Sequence, residues 1–308
     1  MSSSAPSDVP PPRPSLHGFL VIDKPAGWTS HDVVARVRRL VGERRVGHAG
    51  TLDPAATGVL PLAVGTATRV LEYLAGADKT YRAEVTFGVE TDSQDGDGRV
   101  VARRDASALS EAAVAALLPA FRGPLQQIPP MHSAIKVGGQ RLYERAHRGE
   151  EIEREPRPVV VHRLQLLDWR PPVATLLVDC SKGTYVRALA RDLGAAAGVG
   201  AFLSDLVRLR TGPFALCQAL TLDALADAPL PWAWPAVAVH PDAVLPGWTA
   251  LLLDDEGRTD WGAGRAIAAP AAAGRCRAYG LDGAWLGVGA ADDSGRAWRP
   301  LKVVEGAA

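Results

Sequence analysis

The sequence predicts an α+β core with a small β-barrel appended. Strands and helices mix along the first two-thirds without a regular βαβ alternation, which disfavours a doubly wound parallel sheet. Around Pro229–Pro246 the composition shifts to Pro, Ala and Trp, as in a packed linker. After Gly247 short apolar runs alternate with Gly and Asp turns, a small all-β pattern.

Order is expected to begin near Leu16, because Met1–Pro14 is Ser/Pro-rich and lacks the apolar run of a signal peptide. Gly18–Asp23 reads as a strand and Lys24–Gly27 as a turn. Thr29 or Ser30 can cap a helix whose Val33, Val34, Val37, Leu40 and Val41 share one face, with Gly42 as its stop. Residues 47–60, GHAGTLDPAATGVL, hold three Gly and one Pro and form a loop leading into a buried strand, Val59–Gly65. Thr66 is expected to cap a helix carrying Val70, Leu71 and Leu74.

Thr80–Phe87 alternates, with Tyr81, Ala83, Val85 and Phe87 on one side, which predicts a half-buried strand. Asp92–Gly98 is a polar turn, and Ser110 caps a helix through about Phe121. Gly123–Gly149 is irregular and basic: from Arg122 to Arg148 there are five basic residues and one acidic. Val159–Trp169 and Ala174–Cys180 read as strands, and Thr184–Ala197 as a helix with Val186, Leu189, Ala190 and Leu193 inward.

The 308 residues allow one or two domains. No apolar run approaches the roughly 18 residues of a membrane span. Three scattered Cys and no HExxH pattern disfavour a disulfide framework or a zinc site, and fit a reducing cytoplasm. The 34 basic and 34 acidic residues cancel, yet not evenly. Residues 1–211 carry 27 basic and 23 acidic side chains, and residues 212–308 carry 7 and 11. A neutral total can therefore hide a basic face.

Asp53 is the first candidate for chemistry, a carboxylate on a Gly-punctuated loop between a helix and a strand. Asp-Pro is also a common turn starter, so Asp53 alone decides little. Collinear motifs decide more. GHAGTLDPAATGVL resembles the catalytic signature of the TruB-type pseudouridine synthases, and LVIDKPAGWTSHDVV resembles their opening motif. DKTYRAEVTFGVETDSQDGDG, Ile128–Gly149, CSKGTYVRALARDLG and GAFLSDLVRLRTGPF resemble the later blocks. The likeness runs from about Gly18 to Phe214, and Gly247 onward is a weaker likeness to a PUA-like RNA-binding domain.

The resemblance implies a mixed, largely antiparallel central sheet with flanking helices, plus a PUA-like β-barrel. The implied boundaries are a disordered tail at 1–15, a catalytic domain at 16–228, a linker at 229–246 and the barrel at 247–308. It implies isomerisation of uridine 55 in the T-loop of tRNA, with no cofactor and no metal. Asp53 would be the essential carboxylate, Arg187 its cationic partner, and Tyr81 the aromatic on which the base stacks. His48, inserting into the opened T-loop, and Leu206, packing on the base, would bind substrate. Lys24, Asp95, Lys136, Arg141, Lys182 and Tyr185 complete the expected binding set. The partner implied is tRNA, through its T-stem and T-loop; no membrane and no obligate protein partner are expected.

Three other readings stand beside this one. A guide-RNA-dependent relative resembles the core but lacks the clasp that Gly123–Gly149 provides. A non-catalytic RNA-binding protein would not need the full set of Asp53, Tyr81 and Arg187. A glycosidase would need a second carboxylate paired with Asp53.

Overall fold

The computed structural model describes residues 16–131, 136–137, 140–141, 153–230, 232–269 and 271–304. Strand β1 (Gly18–Lys24) leads into helix α1 (Ser30–Val41) and strands β2 (Val46–His48) and β3 (Thr57–Val64). Thr29 caps α1 through a reciprocal capping box with Asp32. Ser30 does something else: its hydroxyl donates to the Leu52 carbonyl and accepts from the Leu52 amide, at 3.2 and 3.0 Å. The start of α1 is thereby stitched to the loop that carries Asp53. Val33, Val34, Val37 and Val41 are buried as the 3.6-residue period demands. Fully burying each such side chain contributes about 1.5–3 kcal/mol.

Strands β4 (Lys79–Phe87), β5 (Val89–Thr91), β6 (Val100–Arg103), β7 (Gly123–Gln127), β8 (Lys136–Val137), β9 (Gln140–Arg141), β10 (Arg157–Arg170), β11 (Val173–Cys180), β12 (Ala201–Thr211) and β13 (Phe214–Ala215) follow. The central sheet runs β1-β3-β12-β4-β11-β10-β7, with β2 paired to β3 and β13 to β12. Its pairings are antiparallel except β12 on β3. One face packs on α1 and on the helices Val186–Ala196 and Leu222–Asp227, around Tyr81, Ala83, Val85, Phe87, Leu176 and Val178. The other face, with Phe19, Val21, Val59, Ala63 and Phe214, packs on Leu74, Val244, Leu245 and three residues of the C-terminal region, Trp285, Val288 and Val304.

That region forms a five-stranded curled half-barrel, ordered β14 (Thr249–Leu253), β16 (Arg275–Gly280), β17 (Trp285–Ala291), β18 (Ala297–Val303) and β15 (Ile267–Ala268). It also holds a helix, Asp255–Gly262, where only strands were expected. Asp254 caps that helix, accepting from the Gly257 amide, and Trp261 anchors it at zero exposure. Its single apolar anchor leaves too weak a 3.6-residue period to read from sequence.

Two other expectations change. Thr66 lies inside a 3-10 turn, Gly65–Val70, that starts after Val64, and its buried hydroxyl meets no partner. The Thr66 amide donates instead to His17 Nδ1. The Val186–Ala196 helix begins two residues later than expected, with Tyr185 at its N-cap. Strand β12 itself was not legible as a strand, because its exposure does not alternate through Ser204–Val207.

Candidate active site

The loop between β2 and β3 presents Asp53. Gly58, just beyond it, has φ +96°, and a Cβ there would collide with the Arg208 backbone carbonyl. Glycine thus lets β3 and β12 approach closely enough to pair in parallel at Arg208–Gly58.

Arg187 sits on the first turn of the Val186–Ala196 helix and is buried at 5% exposure. Its guanidinium reaches Asp53 Oδ2 through Nη2 at 3.0 Å and Asp95 Oδ2 through Nη1 at 3.1 Å. Nη1 also donates to the Ser93 carbonyl at 3.3 Å. A cation that sequence spacing alone would place on a solvated face is therefore the bridge between two carboxylates. Asp95 is positioned by its own turn: Ser93 Oγ donates to Oδ1, the Asp97 amide donates to Oδ1, and Thr91 Oγ1 donates to the Asp95 carbonyl.

The Asp53 side chain is 43% exposed, so it faces an opening rather than the core. Its surroundings nevertheless push the carboxyl above the usual carboxylate range, by burial first and then by the charges of Asp95 and Asp97. The Arg187 guanidinium and the Lys24 ammonium pull the other way. At Asp53, burial and two neighbouring carboxylates thus oppose two cations, of which the buried Arg187 acts more strongly.

Tyr81 lies on β4 at 7% exposure, in the cluster against which Leu206 of β12 packs. Burial raises its phenol pKa. Leu206 pairs with Ala83, two residues from Tyr81, so aromatic and aliphatic side chains share one wall. His48 ends β2 with its ring edge-on to His31 at 5.4 Å. Its Nδ1 is buried with no hydrogen-bond partner among the described residues, and burial lowers its pKa.

Lys24 changes role. It was expected to bind substrate, but its ammonium is fully buried and donates to the carbonyls of Pro25, Trp28 and Pro54 at 2.9, 2.7 and 3.0 Å. With three donors and three acceptors it is saturated. It clamps the opening turn to the Asp53 loop, where the Gly27 amide also donates to the Pro54 carbonyl. Burial pulls its pKa down to about 8. Lys182 lies exposed on the turn before the arginine helix. Tyr185 caps that helix, its amide donating to Gln127 Oε1 and its carbonyl accepting from Gln127 Nε2. Lys136 and Arg141 lie on the paired strands β8 and β9, with side chains outside the described residues.

Two residues went unread in the sequence. Gln127, at 2% exposure, ties the last residue of β7 to the helix that carries Arg187. Arg208, at 1%, donates from Nε to the Val59 carbonyl at 2.7 Å and from Nη2 to the Gly50 carbonyl at 3.0 Å. The only sequence signal for Arg208 is an arginine inside an apolar strand beside Gly-rich loops.

Solved structures share this fold. A chain of a Cbf5–Nop10–Gar1 complex superposes with TM-score 0.71 at 26% identity, over 93% of this chain and 84% of that one. The archaeal box H/ACA sRNP Nop10–Cbf5 complex gives TM-score 0.68 at 24% identity, a likeness of fold alone. The matches below define a pseudouridine synthase. Residues 38–186 match the TruB family pseudouridylate synthase N-terminal domain, and residues 187–245 the tRNA pseudouridylate synthase B C-terminal domain. A tRNA pseudouridine synthase B of Symbiobacterium thermophilum is 62% identical over 214 residues, 68% of this chain and 72% of that protein. One from Pseudomonas aeruginosa is 43% identical over 289 residues, 92% of this chain and 95% of that protein. The chain belongs to the TruB family.

Proposed function

We propose that this protein converts uridine 55 in the T-loop of tRNA to pseudouridine, acting alone and in the cytoplasm, with Asp53 as the essential carboxylate. The bond from ribose C1′ to uracil N1 breaks, the base turns, and C1′ joins C5. No atom enters or leaves except the proton exchanged between C5 and N1, so no cofactor is called for. The observation that carries the reading is the ion pair of Asp53 with a buried Arg187, beside Tyr81 and Leu206. Arg187 favours the ionised carboxylate in surroundings that otherwise favour the neutral acid. The curated relatives described above, named tRNA pseudouridine synthase B, support tRNA as the substrate.

A uridine within a folded loop has to leave its stack, at a few kcal/mol. Stacking on Tyr81 returns roughly 1–3 kcal/mol. Leu206 adds apolar contact, and the His48 ring fills the vacated space. Asp95 holds Arg187 from the far side. Lys24 and Tyr185 shape the loop and the helix start, and Lys182 meets the RNA backbone. Lys136 and Arg141, with the rest of 123–149, clasp the T-arm, and residues 247–308 serve as the PUA-like RNA-binding domain. Asp95 is the second carboxylate that a glycosidase would need, but it shares Arg187 with Asp53 and is held by Ser93, so it is tied into the wall of the site rather than free to protonate a leaving group.

The test is the purified protein alone with an unmodified tRNA transcript, with pseudouridine mapped along the RNA. Conversion at position 55 is expected; no conversion, or conversion only with an added guide RNA or protein, contradicts the reading. Lys136→Glu with Arg141→Glu is expected to weaken tRNA affinity at moderate salt. Unchanged affinity removes the clasp.

A further inference from the structure

Arg208 is a cation in a place that disfavours one. It is buried, no carboxylate pairs with it among the described residues, and Lys24, Lys79 and His48 each feel its positive charge. Burying an unpaired ion costs several kcal/mol. If the strand needed only filling, an apolar residue would do it without that cost.

What Arg208 touches gives it a use. It stands opposite Gly58 of β3 on one side and opposite Tyr81 of β4 on the other. Its guanidinium donates to the carbonyls of Gly50 and Thr51, which precede Asp53, and of Val59, which follows it. Tyr81 is its cross-strand neighbour, and the phenol and the guanidinium influence each other's charge. One planar, five-donor group therefore holds both arms of the Asp53 loop beside the strand that carries Tyr81.

We infer that Arg208 is a positioning residue for the isomerisation, fixing the Asp53 loop and the Tyr81 phenol relative to each other. This rests on the reading of Asp53 and Tyr81 as groups that meet the flipped uridine. Burial raises the phenol pKa, and the nearby guanidinium works against that rise. A lysine at 208 keeps the charge but reaches fewer of the three carbonyls, and a glutamine keeps a donor without the charge.

The test compares wild type, Arg208→Lys, Arg208→Gln and Tyr81→Phe, plus each Arg208 change in the Tyr81→Phe background. The readout is single-turnover pseudouridine formation at saturating enzyme, with tRNA affinity and melting temperature measured alongside. Misplacing a reacting group by about 1 Å costs on the order of 100-fold. A fall of that order is expected for Arg208→Lys, with tRNA Kd within about twofold. The same change is expected to lose much less in the Tyr81→Phe background, because part of its effect runs through the phenol. A rate within twofold of wild type overturns the inference, as does an equal fall in both backgrounds. Failure of both Arg208 variants to fold makes the residue a folding element only and overturns it too. If wild type forms no pseudouridine, the functional reading has failed, a result distinguishable from these.

Discussion

Asp53 in the core and Asp242 beside the C-terminal half-barrel each have an arginine partner, yet they are treated in opposite ways. Asp242 is 22% exposed, meets His240 Nδ1 at 2.6 Å and Arg277 Nη1 at 3.2 Å, and accepts from the Tyr279 hydroxyl. Those bonds, led by His240, hold its pKa at about 2, well below the ordinary carboxylate value. Asp53 is 43% exposed, and burial of its surroundings moves it upward despite Arg187. A saturated carboxylate is fixed in charge and place and can only support structure. A carboxylate with open capacity, held where ionisation is disfavoured, is poised to react. Burial of neighbours and number of partners, rather than the presence of an arginine, separate the two.

The largest way to break the contrast is to remove the cation from the reactive carboxylate. Arg187→Met is expected to lower the single-turnover rate about 100-fold or more. Its acid limb is also expected to move to higher pH, since the charge that lowers the Asp53 pKa is gone. An unchanged acid limb in the pH–rate profile would separate Arg187 from Asp53. Next is Asp95→Asn, which loosens Arg187 from behind. A loss of roughly 1–3 kcal/mol in rate is expected, the scale of a hydrogen bond to a charged group, with tRNA binding retained.

Asp242→Asn is expected to leave the rate on bound tRNA within twofold while lowering stability by about 1–3 kcal/mol. A chain of this size then melts a few degrees lower in calorimetry. The smallest effect is on acid stability. The folded Asp242 titrates near pH 2 and the unfolded chain near the ordinary value of 3.8, so the unfolded state takes the proton first. The stabilisation, about 2 kcal/mol, is whole above pH 4 and lost as pH falls through about 2. Wild type and Asp242→Asn are therefore expected to converge in stability near pH 2. A constant gap from pH 6 to pH 2 would refute the assignment.

The same contrast shows what a sequence can and cannot reveal. The alternation of β4 disclosed the buried side of Tyr81, and the apolar period of α1 disclosed its inner face. Gly58 is legible only as permissive; its need is set by β12, about 150 residues away. Arg208 and Gln127 act through pairings with distant segments, so their own neighbourhoods mark Arg208 only as an arginine in an apolar run and Gln127 not at all. Lys24 sits in a recognisable motif, yet its role differs from the one expected, because three carbonyls enclose its ammonium only after folding. The cluster of His240, Asp242, Arg277 and Tyr279 went unread for the same reason.

The most direct test sets Asp53→Asn beside Asp242→Asn, each saturated with unmodified tRNA, and follows pseudouridine formation in a single turnover. Asp53→Asn is expected to bind tRNA and form product at least about a thousand-fold more slowly than wild type. Asp242→Asn is expected to match wild type within twofold. Product from Asp53→Asn at the wild-type rate, or an equal loss in both variants, would contradict the account.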